Sequence, residues 1–202
     1  MHSAPGQVRP NAGLVQPAEQ AVHNRAMDDI VKQALVKWPN VPACYGWLGL
    51  DARARWYLRD EAVQAAGSFP DSRGSELQHG KLVEFVQRNY ESDRFGRWFF
   101  QNGPQRVYVE LESTPWIWRI QPDGSLQSQT GCLAVPENCL LDEEGRVYFS
   151  TDLGLGLVHS QDVIQVADGI EKGLWNPVSV RSTALPDQYG FIRSPAQTQT
   201  PG

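Results

Sequence analysis

Three stretches of this 202-residue chain place an arginine two residues before an aromatic ring: Arg55 with Tyr57, Arg97 with Phe99, and Arg146 with Tyr148. Each pair follows an aspartate by four residues, in Asp51-Ala-Arg-Ala-Arg55-Trp-Tyr-Leu, Asp93-Arg-Phe-Gly-Arg97-Trp-Phe-Phe and Asp142-Glu-Glu-Gly-Arg146-Val-Tyr-Phe. Side chains alternate across a strand, so each arginine shares a face with the ring two residues on. A face with three guanidinium–aromatic pairs could hold an acidic or aromatic group by charge and stacking. The competing reading is that each arginine lies along its own neighbouring ring and shields a half-exposed sheet. Trp116 and Trp118 share one strand face nearby in the sequence. Turned outward, they make a platform for a peptide, a sugar or an unstacked base. The candidate binding set is therefore Arg55, Tyr57, Arg97, Phe99, Trp116, Trp118, Arg146 and Tyr148.

The remaining reactive side chains form no coherent catalytic set. The histidines, His2, His23, His79 and His159, stand far from one another and from the cysteines. Cys44, Cys132 and Cys139 show neither C-x-x-C nor zinc-finger spacing, which fits three reduced thiols in a cytoplasmic protein. Glu110 and Glu112 alternate with Val109 and Leu111, so their carboxylates lie about 7 Å apart on the outer, exposed face of one strand. Leu153-Gly-Leu-Gly-Leu157 lacks the lysine and third glycine of a phosphate loop, and its glycines suit a bulge or a close backbone crossing. No metal or other cofactor is expected. An enzyme, hydrolase-like, requires the fold to bring Cys44, His79, His159, Glu110 and Glu112 together.

The elements that position these residues read as α+β. A helix follows Asn24 as N-cap, with Met27, Ile30, Val31, Ala34, Leu35 and Trp38 on its apolar stripe, and Pro39 stops it. A second helix is expected over 75–89, with Leu77, Leu82, Phe85 and Val86 buried and Gly80 weakening its middle. A third starts at Ser160 and turns Val163, Ile164 and Val166 inward. Strands are expected at 45–50, 55–58, 97–101, 105–112, 116–121, 125–129, 132–135 and 146–150. The Asp-turn-Arg phrase is the signature of a hairpin tip, so the sheet is predicted to be mostly antiparallel, built of repeated strand-hairpin motifs with two to three packed helices. The repeats divide at about 44–90, 91–135 and 136–170, inside one domain spanning 24–175. Residues 1–22 and 176–202, rich in Pro, Gly and Gln, read as disordered tails, the second docking locally through Tyr189, Phe191 and Ile192.

The run Cys44-Tyr-Gly-Trp-Leu-Gly-Leu-Asp with Arg55-Trp-Tyr-Leu resembles the opening of a bacterial domain-of-unknown-function family, the one numbered 1285. The likeness continues in Lys81-Leu-Val-Glu-Phe85, in Gly96-Arg-Trp-Phe99, and from Val107 to Trp116, with a weaker extension to about 167. It implies an α+β fold of repeated strand-helix motifs and a regulatory or signalling role, and supplies no active site to carry over.

A hydrophobic fraction of 41% and seven Trp, six Tyr and seven Phe suffice for a packed core, which excludes global disorder. A formal net charge of −5 argues against phosphate-driven nucleic-acid binding, and a single-stranded nucleic-acid binder, which the aromatic strands favour, is the third alternative beside the binding module and the enzyme. No stretch reaches the roughly 18 apolar residues that span a bilayer, and the N-terminus lacks the pattern of a secretory signal. The expected function is thus a non-enzymatic ligand- or protein-binding module, with a protein or small molecule as partner, no membrane contact, and exposed strand edges that allow oligomers.

Overall fold

One five-residue turn is used five times among residues 27–198, the part of the chain described by the computed structural model. In the turns 51–55, 93–97, 121–125, 128–132 and 142–146, the first residue's N–H donates to the fifth residue's carbonyl. The fourth residue's N–H donates back to the first residue's carbonyl. The fourth residue takes a left-handed backbone in every copy: Ala54 at φ 63°, Gly96 at 76°, Gly124 at 83°, Gly131 at 80° and Gly145 at 78°. Glycine adopts that region without steric cost, which is why a small residue closes the phrase. The sequence phrase marks only the three copies that also carry Asp first and Arg fifth.

The turns join strands of two sheets. Sheet I holds β1 (Cys44–Leu50), β2 (Trp56–Leu58), β3 (Ser75–Glu76), β4 (Tyr90–Ser92), β5 (Trp98–Asn102) and β6 (Gln105–Leu111), in the order β3-β2-β1-β6-β5-β4. Sheet II holds β7 (Trp116–Ile120), β8 (Leu126–Ser128), β9 (Leu133–Ala134), β10 (Asn138–Leu141), β11 (Val147–Thr151), β12 (Gly154–Val158) and β13 (Val178–Ser179), in the order β13-β10-β11-β12-β7-β8-β9. Each sheet joins two antiparallel three-stranded meanders through one parallel pair, the first strand of one meander against the last strand of the other. Those pairs are β1 with β6 and β7 with β12. The sheets therefore part the strands between 111 and 116, inside the expected repeat 91–135.

The α+β class holds, but two finer expectations need correction. Both sheets are mixed, because β1–β6, β7–β12 and β10–β13 run parallel. A hairpin signature is local, whereas these partners are up to about sixty residues apart and no local pattern encodes their pairing. Among the described residues there are five α-helices: α1 (Asp29–Lys37), α2 (Glu61–Ala66), α3 (Gly80–Arg88), α4 (Val163–Glu171) and α5 (Leu185–Tyr189). The added pair, α2 and α5, is too short to show a helical stripe.

Local differences have equally plain causes. Ser75 and Glu76 pair with β2, so α3 opens at Gly80, where the glycine costs no mid-helix stability. Of the stripe expected on α1 only Val31 is buried, and Ile30 and Trp38 face outward. On α4 only Val166 of the three expected apolar residues is buried. The expected tail at 1–22 and the Asn24 cap lie outside the described residues. The C-terminal stretch is structured through 198: Leu185 and Phe191 enter the core, and Ile192 N–H donates to the Gly96 carbonyl at 2.9 Å. Its prolines do not prevent this, since Pro186 sits in the first turn of α5, where a missing N–H removes no helix bond.

Candidate functional site

The three arginine pairs form three separate clasps, each closed on its own aspartate. Asp142 Oδ1 accepts the N–H groups of Glu144 (2.9 Å) and Arg146 (2.8 Å), while Oδ2 accepts Arg146 Nε and the Tyr148 hydroxyl, both at 2.8 Å. Asp51 repeats the pattern with Arg53 N–H, Arg55 N–H, Arg55 Nε and the Tyr57 hydroxyl. In the Asp93 copy the residue at the tyrosine position is Phe99, which has no hydroxyl. Tyr108, paired with Phe99 across the ladder, supplies it instead at 3.0 Å. Arg97 accordingly lies over Tyr108 at 4.8 Å, and Phe99 is covered by Arg106 at 4.7 Å.

The electrostatics follow from this wiring. Burial pushes the Asp93 and Asp142 carboxyls up, but the hydrogen bonds from arginine, backbone and tyrosine outweigh it and hold both below the ordinary value. Burial, followed by the hydrogen bond to Asp142, drives the Tyr148 phenol far up.

The expected common face is not assembled. Arg55 and Arg97 belong to sheet I and Arg146 to sheet II. The rings of Tyr57, Phe99 and Tyr148 are buried, and so are Trp116 and Trp118, at 7% and 0% exposure. The outward indole platform is thus replaced by a packed one. Trp118 Nε1 donates to the Phe149 carbonyl (3.1 Å), and Gly156 lies so close that an added Cβ there would fall 2.2 Å from that nitrogen. The glycines of Leu153–Leu157 make a strand close enough to seat this indole, as a close crossing requires.

Trp116 does reach an opening. It meets Trp98 edge-on at 4.9 Å and Tyr90 at 5.8 Å, so an aromatic seam joins the two sheets. Beside this seam lies an open cleft of about 830 Å³. One wall is β4 with the turn that follows it, the second is the β11–β12 turn with Pro115 and Trp116, and the third runs from Pro186 to Ile192. Among the described residues its charged lining is Glu91, Asp93, Asp152, Asp187 and Arg94, and Asp93 is held by Arg97 at 2.7 Å. Burial pushes the Glu91 carboxyl up, countered in part by Arg106 and Lys32. Of the eight residues read as a binding set, only Trp116 lines this cleft. Sequence reasoning missed β4, a three-residue strand, and α5. The one available signal was the apolar Tyr189–Ile192 run in a proline-rich stretch.

The alternative catalytic cluster is dispersed. His79 stands exposed at the N-cap position of α3 without a side-chain bond to the helix, and neither it nor His159 lines the cleft. His159 follows β12, where Gln161 N–H donates to its Nδ1, and burial with the nearby Arg119 lowers its pKa. Cys44 opens β1. Glu110 on β6 and Glu112 just past its end do not form an exposed face. Glu110 is 3% exposed beneath the C-terminal segment, accepting the Ser194 hydroxyl and the Ala196 N–H (3.1 Å). Burial pushes its carboxyl up in spite of these donors. Glu112, half-buried, takes Arg73 at 3.1 Å, and Arg73 also reaches Asp51 at 3.2 Å. Among the described residues no group of three or more His, Cys, Asp and Glu is placed to hold a metal ion. No helix among them is long and apolar enough to cross a membrane.

These observations define an α+β protein of two mixed sheets with a cleft at their seam. The chain belongs to the DUF2944 family, described as "Protein of unknown function (DUF2946)", whose model matches residues 27–196. Among solved structures it resembles members of the domain-of-unknown-function 1285 family. One is a DUF1285 family protein from Silicibacter pomeroyi DSS-3, at 12% identity and TM-score 0.44, covering 66% of this chain and 74% of that one. Another is a DUF1285 family protein from Shewanella baltica OS155, at 15% identity and TM-score 0.38, covering 61% and 91%. No curated protein matches the sequence.

Proposed function

We propose that the protein is a non-enzymatic binding module of the bacterial cytoplasm, with a regulatory or signalling role, and that the cleft at the sheet seam is its binding site. The observation that carries this reading is the cleft itself. It has the volume of a ligand site, an aromatic lining from Tyr90, Trp98, Trp116 and Phe191, and converging polar groups at its rim. Each arginine of the three clasps is already committed to its aspartate, which moves the binding surface from those residues to the seam. The three free thiols accord with a reducing compartment.

The test is a thermal-shift screen of the whole chain against metabolites, nucleotides and peptides, read together with tryptophan fluorescence. A compound at about 100 times its Kd stabilises by roughly 2.7 kcal/mol, or about 5–10 °C for a chain of this length. A true occupant also changes the emission of Trp98 and Trp116, and its effect disappears in Ser92→Trp, which fills the cleft from an exposed position. A hit that stabilises Ser92→Trp as strongly as the parent chain places the binding site elsewhere.

A further inference from the structure

We infer that the cleft takes an extended, basic peptide, which adds to sheet I as a seventh strand along the open edge of β4. The inference rests on the cleft being the binding site and names its occupant. Sheet I ends at β4, and among the described residues no strand pairs with its outer side. The inner side is committed to β5, with Tyr90 opposite Phe100, Glu91 opposite Phe99 and Ser92 opposite Trp98. The flanking bonds set the phase of that ladder. Gln101 N–H donates to the Asn89 carbonyl at 2.8 Å, and Asp93 N–H donates to the Arg97 carbonyl at 2.9 Å.

Residues that exchange hydrogen bonds across an antiparallel pair alternate along each strand. Asn89, Glu91 and Asp93 therefore turn their backbone groups toward β5, and those of Tyr90 and Ser92 point away from it. Both of these residues line the cleft. An extended chain laid there meets two residues' worth of unpaired donors and acceptors, about 7 Å apart, which is the repeat of its own backbone. A bare edge is an aggregation hazard on a flat sheet, and here it is set inside a concave site that admits one chain rather than another sheet.

The walls select the occupant's side chains. Alternate residues of an added strand face the seam of Trp98 and Trp116 on one side and the rim on the other. That rim carries Glu91 and Asp187, while Asp93 is held by Arg97 at 2.7 Å and the Arg94 guanidinium lies over the Phe95 ring at 4.6 Å. Charge complementarity therefore calls for Lys or Arg at alternate positions, with apolar or aromatic residues between them.

Ser92→Pro isolates the edge. Proline removes the outward N–H and sets its ring against an incoming strand, and it leaves the β4–β5 bonds intact because the lost donor points away from them. The probe is a random octapeptide display library, selected in parallel on the wild-type chain and on Ser92→Pro. The wild-type chain is expected to enrich sequences with Lys or Arg at alternate positions. A synthetic copy of an enriched peptide should quench tryptophan emission and bind Ser92→Pro and Asp187→Arg at least tenfold more weakly. Equal binding to Ser92→Pro, selection of acidic sequences, or no enrichment on the wild-type chain overturns the inference. If a non-peptide metabolite shifts the tryptophan emission of wild type and Ser92→Pro alike, the cleft reading stands and the peptide is excluded. Loss of both peptide and metabolite binding sites from the seam defeats the cleft reading itself. A circular-dichroism melt of each variant shows that it is folded before binding is compared.

Discussion

Replacing Asp142 with alanine is expected to cost the fold about 3 kcal/mol. The carboxylate accepts four hydrogen bonds, from two backbone N–H groups, Arg146 Nε and the Tyr148 hydroxyl, all within 2.8–2.9 Å. Their loss is unequal. Glu144 is exposed, so its N–H regains water at little cost, and the partly exposed Arg146 keeps Glu144 at 3.2 Å. The Tyr148 hydroxyl belongs to a residue only 1% exposed, and stripping such a donor of its acceptor costs about 1–3 kcal/mol. The half-buried Arg146 amide adds about 1 kcal/mol on the same scale. In a chain of this length the sum lowers the Tm by roughly 6–12 °C.

Asp142→Asn keeps an acceptor for both amides but turns an NH₂ toward Arg146, so it should lose about half as much. The pH dependence has a fixed sign. Because the folded carboxyl titrates below its ordinary value of 3.8, its contribution is present above that value and lost as pH falls through the lower folded one. Urea melts of wild type, Asp142→Ala and Asp142→Asn between pH 7 and pH 3 measure both effects. A loss below about 0.5 kcal/mol at pH 7, the scale of an ordinary surface change, refutes the clasp as a stabilising element. A wild-type advantage that survives undiminished to pH 3 refutes the ionised carboxylate as its source.

Two further perturbations probe the packing around the site. Gly156→Ala places a methyl 2.2 Å from Trp118 Nε1, against an indole that is fully buried and cannot swing away. Overpacking of this kind costs about 1–3 kcal/mol, so the variant should show a lower urea midpoint and red-shifted tryptophan emission. Glu110→Gln tests the strap formed by residues 193–198. Burial raises the folded carboxyl above its ordinary 4.5, so this group favours the folded state at low pH and weakens it as pH rises through the folded value. Stability of Glu110→Gln measured against wild type should therefore improve on going from pH 4 to pH 7, and a flat difference contradicts the burial argument.

What the sequence disclosed was what short-range physics encodes. The Asp51, Asp93 and Asp142 turns were legible because a left-handed fourth residue and an aspartate that binds its own backbone leave a mark within five residues. The turns at 121–125 and 128–132 share the geometry but not the Asp-to-Arg phrase, with Gln121 and Ser128 in the first position, and the first of them is marked instead by its own Pro122-Asp-Gly124. Six of the predicted strands after Arg97 and before residue 151 lie within a residue or two of observed ones, since each is an apolar run bounded by a turn signal. Burial of whole faces was less legible. Glu110 reads as an outward residue by alternation, and alternation is right about the face. That face is covered by Ser194 and Ala196, more than eighty residues later. Trp116 and Trp118 likewise share a face as expected, but Tyr90 and Trp98 of sheet I pack on the first and the second lies against Gly156 and the Phe149 carbonyl. The cleft was illegible for the same reason: its three walls come from 90–98, 115–155 and 186–192, and only the tertiary fold brings them together.

The most direct measurement is amide hydrogen exchange of β4, resolved residue by residue, with and without a peptide selected on the wild-type chain. The account predicts that in the free protein the Ser92 amide exchanges fast and the Glu91 amide slowly, because only the latter is bonded to β5. With the peptide bound, Ser92 should become protected while Glu91 stays unchanged. A Ser92 amide already protected in the free chain, or one that remains fast in the complex, contradicts the open edge as the binding surface.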